Sequence, residues 1–377
     1  MTANPDVLIV GASAAGLACG KRLAECGVPF RILEAADRAG GRLHSQLYFP
    51  TAAPETRRTL NSVALDLKPF ARAVLVRFNG RFHRMADPRF EPLAAIQSLA
   101  NPIGTLRDKL RLLRLAGELH FENSTEALAL DWLRWRGRFT PAMIDRFFRP
   151  LAGLLFNDTS LAISSRKYRV ALRMLLEGSI AVPIFGMSAI ANQLAERLPI
   201  GSLRLNAKVE RLGHREVFVG GEAIRARAVV IATDGASAAH LLGEVPSASR
   251  ESTTLVYSAT PSPISERIIL LNGEGQGPVN HVAALGKSLI AAGVVGNNHE
   301  GGELDRQVRV QLAEWFGAAA AAWKLLRFDC NSHALQNRPV RVRPGLYACA
   351  GNALDEAFTS GFRAAQAAMH DLHANRT

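Results

Sequence analysis

Gly11, Ser13 and Gly16 punctuate the stretch GASAAG, which follows the apolar run DVLIV and opens an Ala- and Leu-rich run over 14–26. A glycine at Gly11 permits a tight turn, and one at Gly16 lets a helix pack closely on a strand. Between them, small residues let backbone amides approach an anion at the helix N-terminus. Ser13 holds the middle place, with Ala14 and Ala15 beside it, and its hydroxyl can cap the helix. Glu34 follows the next apolar run in PFRILEAAD, where a carboxylate accepts hydrogen bonds from ribose hydroxyls and repels a 2′-phosphate. The chemistry these residues suit is the capture of a dinucleotide by its pyrophosphate and ribose. A nucleophile elbow around Ser13 would use the same residues. It needs strands ahead of it to build its sheet, and ten residues precede Gly11.

The elements that position these residues form a strand–helix–strand unit, with Gly27 expected to close the helix. From about 66 to 184 the pattern becomes helical. In PIGTLRDKLRLLRLAGEL, Leu106, Leu110 and Leu113 mark one face and Arg107, Arg111 and Arg114 another. Ser124 is expected to cap a helix, and Thr140 followed by Pro141 to start another. Strand texture returns over 202–242, breaking at Gly213 and Gly220-Gly221 and ending in the buried strand AVVIAT; residues 252–297 suggest a second sheet. One long helix is expected over 303–326, then the strand GLYACAG and a last helix. The pattern predicts an α/β protein: a Rossmann-like dinucleotide domain over 1–66, 185–245 and 335–377, interleaved with an α+β substrate domain over 67–184 and 246–334.

The chain has 377 residues, of which 48% are hydrophobic, enough for two cored domains. Forty-five basic against 33 acidic residues leave a net charge of +12, which suits an anionic cofactor, an acidic substrate or anionic lipid. No zinc-finger spacing, aromatic RNA-binding signature or basic helix-turn-helix supports a nucleic-acid partner. Cys19, Cys26, Cys330 and Cys349 form no C-x-x-C pair and read as free thiols, with Cys19 and Cys26 on one helix face. With no apolar run of membrane-spanning length, the expectation is a cytoplasmic protein, with peripheral contact to an anionic membrane open through residues 106–114.

EAADRAGGRLHS resembles the E-x-x-x-R-x-G-G-R stretch of flavin amine oxidases and phytoene desaturases. The resemblance continues through PIFGM, NAKVERL, VVIATDG and GLYACAGNALDEAFTSGFRAAQAA. It implies a glutathione-reductase-type FAD domain. It further implies FAD as cofactor, held by Gly11, Ser13, Ala14, Ala15, Gly16, Glu34, Ala35, Gly41, Arg42, Val209, Thr233, Gly351 and Asn352. Arg42 would bridge the pyrophosphate, and the Val209 backbone would contact adenine on a strand.

Four departures fall on the flavin-ring side. The D-G-F-x-x-D-x-G strand is replaced by QLYFPTAAPE, and Phe185 stands in for the first glycine of P-x-G-G-M. Asn352 takes the place of the acid of the GD motif, and the segment after it is short. The implied activity is dehydrogenation of a hydrophobic or amine-bearing small molecule by hydride transfer to flavin N5. An isomerase or cyclase without net redox turnover, or a flavin-free homologue used for binding, remain as alternatives. No catalytic dyad and no metal-ligand spacing is present in the sequence. His281 and His333 could face the pocket but read first as surface or satisfied histidines, Asp355 and Glu356 could reach the cofactor region but read first as a solvated loop, and Trp132, Trp135, Phe147, Phe148 and Phe156 read mostly as core.

Overall fold

The computed structural model describes residues 5–119, 126–245, 252–286, 288–296, 301–331, 339–351 and 353–374. The chain divides into two compact units. The first comprises Met1–Lys68, Ala181–Ser249 and His333–Thr377; the second comprises Pro69–Ile180 and Arg250–Ser332.

The first unit is built on strands β1 (Val7–Val10), β2 (Phe30–Leu33), β3 (Leu203–Arg204), β4 (Ala228–Ile231), β5 (Arg341–Arg343) and β6 (Leu346–Ala348), in the sheet order β5-β6-β4-β1-β2-β3. All neighbours run parallel except β5 and β6. β1 and β4 are buried at every position, because layers cover both faces of the sheet. On one side lie helices α1 (Ala14–Glu25) and α3 (Leu354–Ala374). They cross at Gly361, where a Cβ would stand 2.2 Å from the Ala15 carbonyl oxygen, so only glycine fits. Ala15, Ala18, Ala364 and Ala365 continue that close contact, and Leu17, Leu23 and Phe358 fill the core beside it. Each of these large side chains contributes about 1.5–3 kcal/mol by leaving water. A smaller core on the other face contains Leu8, Val10, Leu33, Val217 and Ile231.

α1 stops at Cys26, with Gly27 just beyond it at φ +67°. The seven-residue spacing of Cys19 and Cys26 therefore does not put them on one face: Cys19 is buried and Cys26 exposed.

The second unit carries a seven-stranded sheet in the order Lys324–Asn331, Ser252–Ser258, Leu289–Val295, Val279–Gly286, Ile268–Asn272, Ala73–Phe78, Arg81–Ala86. Among the described residues its one parallel pair joins Ile268–Asn272 to Ala73–Phe78. Leu304, Val308, Leu312 and Trp315 of the Gly301–Phe316 helix pack into its core. The single helix expected over 303–326 is instead broken at Gly317, which adopts φ +93°. The alanine run forms one 3-10 turn, and Lys324 already begins a strand. Thr140 caps its helix as expected, through its side chain and the Met143 amide. Ser124 lies outside the described residues.

In the Leu106–Glu118 helix the leucine face is not the buried one. Leu106, Leu110 and Leu113 face solvent, and the buried face carries Asp108, Lys109 and Leu115. Asp108 explains the choice of face. Its carboxylate accepts hydrogen bonds from the backbone and hydroxyl of both Thr105 and Thr140. Burial alone would raise its pKa, but these bonds outweigh it and hold the group below the ordinary carboxylate range.

Candidate functional site: a dinucleotide cradle in the first unit

A cavity of about 790 Å³ opens at the C-terminal ends of β1, β2 and β4, within the first unit. This is the crevice where open parallel sheets bind ligands.

The turn after β1 is fixed by sterics. Gly11 sits at φ +102°, and a Cβ there would meet the Ala232 carbonyl oxygen at 2.7 Å. Gly16 does not line the cavity; a Cβ there would lie 2.1 Å from the Gly11 carbonyl oxygen, so its absence lets α1 seat against the turn. Ser13 is the N-cap of α1, accepting from the Gly16 amide at 3.4 Å and donating to the Ala232 carbonyl at 2.7 Å. Its side chain is thus held against the protein. Ser13, Ala14 and Ala15 line the cavity, and the first-turn amides of α1 lack intrahelical acceptors there.

Glu34 follows β2 directly. One carboxylate oxygen accepts from the Ala12 amide at 2.6 Å and the other from the Ala36 amide at 2.9 Å. These bonds hold the carboxylate at the cavity wall next to Ala35. The following Gly40-Gly41 turn adopts φ values of +125° and +49°, and the Gly40 amide donates to the Ala12 carbonyl at 2.8 Å. Arg42 then enters the cavity wall and donates from Nη2 to the Gly351 carbonyl at 2.5 Å. Desolvation pulls the pKa of its guanidinium below the ordinary value, and Asp234 and Glu356 partly restore it.

Beyond β4, Ala232 and Thr233 lead into a second helix, α2 (Gly235–Leu242), capped by Asp234. Its carboxylate accepts from the Ser237 amide at 2.9 Å and from the Ser237 hydroxyl at 2.7 Å. Burial opposes ionisation of Asp234, but these bonds lower its pKa overall. The start of α3 contributes Leu354 and Ala357. Three helix N-termini therefore border one cavity, an arrangement that favours an anion.

Of the residues singled out from the sequence, Gly11, Ser13, Ala14, Ala15, Glu34, Ala35, Gly41, Arg42, Val209, Thr233 and Gly351 all line this cavity. Asn352 lies outside the described residues, as does His333. Val209 is not on a strand; it belongs to an irregular segment that the Ala207 amide fastens to the Glu34 carbonyl at 2.7 Å. Phe185 is 83% exposed and does not line the cavity, so its ring does not crowd this site. Asp355 is spent elsewhere, accepting the amides of Glu55 and Thr56 at the start of the Pro54–Thr59 helix. His281 belongs to the second unit, on the Val279–Gly286 strand. Sequence reasoning missed Gln46, Lys208, Ser237 and His240 as lining residues. The Asp-Gly-Ala-Ser capping pattern after AVVIAT was the available signal for Ser237 and for the helix bearing His240. Among the described residues, no group of three or more His, Cys, Asp or Glu side chains is arranged to hold a metal ion, and no helix is long and apolar enough to cross a membrane.

Residues 14–262 match the family model of the flavin containing amine oxidoreductases, a span of about two thirds of the chain. The chain belongs to the flavin-containing amine oxidoreductases. A polyamine oxidase of rice (Oryza sativa subsp. japonica), polyamine oxidase 7, is 48% identical over 48 residues. That match takes in 12% of this chain and 10% of the rice protein, so the chain matches only about a tenth of that relative's length. Among solved structures, an oxidoreductase from Methanosarcina mazei superposes with a TM-score of 0.73 at 14% identity, covering 96% of this chain and 99% of that one. Cyclohexylamine oxidase from Brevibacterium oxydans gives a TM-score of 0.63 at 17% identity, over 98% and 100% of the two chains. At these identities the structures show a shared fold. The family's cofactor is FAD, and the cradle fits its ADP half. Glu34 presents a fixed carboxylate at the cavity wall, Ser13–Ala15 of the α1 start and Arg42 line the same cavity, and the glycine turns leave the room a side chain would take.

Proposed function

We propose that this flavin-containing amine oxidoreductase is an FAD-dependent enzyme that dehydrogenates an amine-bearing or hydrophobic small molecule. The observation that carries the reading is the joint placement of Glu34, Arg42 and the Gly11–Gly16 turn around one cavity in the first unit. Bound FAD supplies the two-electron acceptor for a hydride leaving the substrate carbon. The chain's part is to bind and orient it. Glu34 would hold the adenosine ribose, the first turn of α1 and Arg42 would neutralise the pyrophosphate, and the Val209 segment would border the adenine. Gly351, whose carbonyl is held by Arg42, would set the backbone path beside the ribityl chain. The names of the rice polyamine oxidase and the cyclohexylamine oxidase favour an amine over a purely hydrocarbon substrate.

The purified protein tests this directly. A flavin absorption spectrum, or a rise in melting temperature on adding FAD, is expected from a site that binds the native state alone. Anaerobic bleaching of the flavin by primary amines or polyamines should then follow. Bound flavin with no bleaching by any amine would favour a flavoprotein without net redox turnover. A colourless protein that FAD does not stabilise would overturn the proposal.

A further inference from the structure

The Leu106–Glu118 helix has two apolar faces, and only one of them is used. At 100° per residue, Leu115 and Leu119 share a side with Asp108, and all three are buried. Leu106, Leu110 and Leu113 lie on the far side of the helix, 55%, 46% and 45% exposed. Arg107, Arg111 and Arg114 run along the flank between the two faces. Arg107 and Arg114 are exposed and make no ion pair among the described residues. The helix cannot roll its leucines inward. Asp108 is fastened to Thr105 and Thr140, and Lys109 donates to the carbonyls of Leu99 and Asn101, so the buried face is tied down from both sides.

We propose that this helix face docks on an anionic lipid bilayer, with the three leucines entering the interface and the arginines at headgroup level. A stripe of leucines costs free energy in water unless something covers it. Charge complementarity selects the cover. Over residues 106–114 the exposed and half-exposed side chains on this face are leucines and arginines, while the acid Asp108 is buried. An apolar stripe beside a positive flank matches acyl chains beside anionic headgroups, and long arginine side chains can place their charge above their own backbone level. Exposed Leu93, Ile96 and Trp135 lie on segments adjoining the helix, since Lys109 bonds next to one and Arg111 bonds to Arg138 beside the other. Docking of this kind needs both the apolar and the charged signal.

The test is co-sedimentation of the full-length protein with phosphatidylcholine vesicles, pure or mixed with phosphatidylglycerol. Binding is expected to the mixed vesicles, to weaken with salt, and to be slight on pure phosphatidylcholine. The Arg107→Gln/Arg114→Gln variant should bind roughly thirtyfold more weakly, from two charges near the surface. The Leu106→Ser/Leu110→Ser/Leu113→Ser variant should lose binding while keeping the wild-type melting temperature and flavin content. No sedimentation of the wild type with mixed vesicles would overturn the proposal, as would a leucine variant that binds unchanged. Conversion of a wild-type dimer to a monomer by the leucine changes would also overturn it, showing that a second copy covers the stripe.

Discussion

The Ser13 hydroxyl donates to the Ala232 carbonyl at 2.7 Å, joining two turns that lie 219 residues apart in sequence. The same oxygen caps α1 through the Gly16 amide. The residue that interrupts the glycine pattern is therefore a tie across the sheet. Ser13→Ala should leave FAD affinity within a few-fold of wild type and lower stability by about 1 kcal/mol, the usual worth of a lost helix cap. Urea unfolding of the apo-protein beside an FAD titration separates the two effects. A large loss of affinity with unchanged stability would contradict the tie.

Gly11 leaves far less latitude. An alanine would have to hold φ near +102° with its Cβ 2.7 Å from a backbone oxygen. Gly11→Ala should displace the turn and abolish the stabilisation by FAD seen in a thermal melt. Retention of the wild-type FAD response would mean that the turn is not part of the binding site.

Arg42 joins its guanidinium to the Gly351 carbonyl from a largely desolvated position. A lysine there keeps the charge and loses the planar fork. Arg42→Lys should weaken FAD binding by about tenfold or more, measured as flavin fluorescence on titrating apo-protein. Affinity equal to wild type would show that only the net charge matters.

His281 provides a pH test that does not depend on the cofactor. Its ring rests against Gly293, where a Cβ would approach it to 2.2 Å, and Asn280 lies 3.1 Å from its Nδ1. Desolvation pushes its pKa down from 6.5 to about 4. The folded ring stays neutral while the unfolded one protonates, so its contribution is complete above pH 6.5 and declines as the pH falls towards 4. Between pH 7.5 and 5.0 the loss is worth about 2 kcal/mol. Urea midpoints at pH 7.5 and 5.0 should diverge less in His281→Gln than in the wild type; equal divergence would refute the account.

The parts of the structure legible in sequence are those where local chemistry is decisive. The Gly11–Gly16 turn, the position of Glu34 after β2 and the Gly40-Gly41 turn each follow from backbone freedom or from a single carboxylate. The parts not legible depend on distant partners. The outward turn of Leu106, Leu110 and Leu113 is set by Thr140 bonding Asp108, which periodicity does not register. Gly317 ends the Gly301–Phe316 helix although alanines follow it, because positive φ outweighs the propensity of its neighbours. Gln46 lines the cavity because the Gly41–His44 3-10 turn carries the chain on from Arg42, and Lys208 because the irregular segment beside Val209 borders it; neither residue type is called for at its place by a turn or a cap.

The Arg42–Gly351 bond spans 309 residues of chain. During synthesis Arg42 is made 309 residues before its partner. β1 has β2 at once, but waits for β4, and β4 waits for β6. The cradle is thus closed only once the strand Leu346–Ala348 and Gly351 have been made. Cofactor loading is expected to follow the synthesis of Gly351, and a ribosome stalled before Gly351 should display a nascent chain that cannot retain flavin.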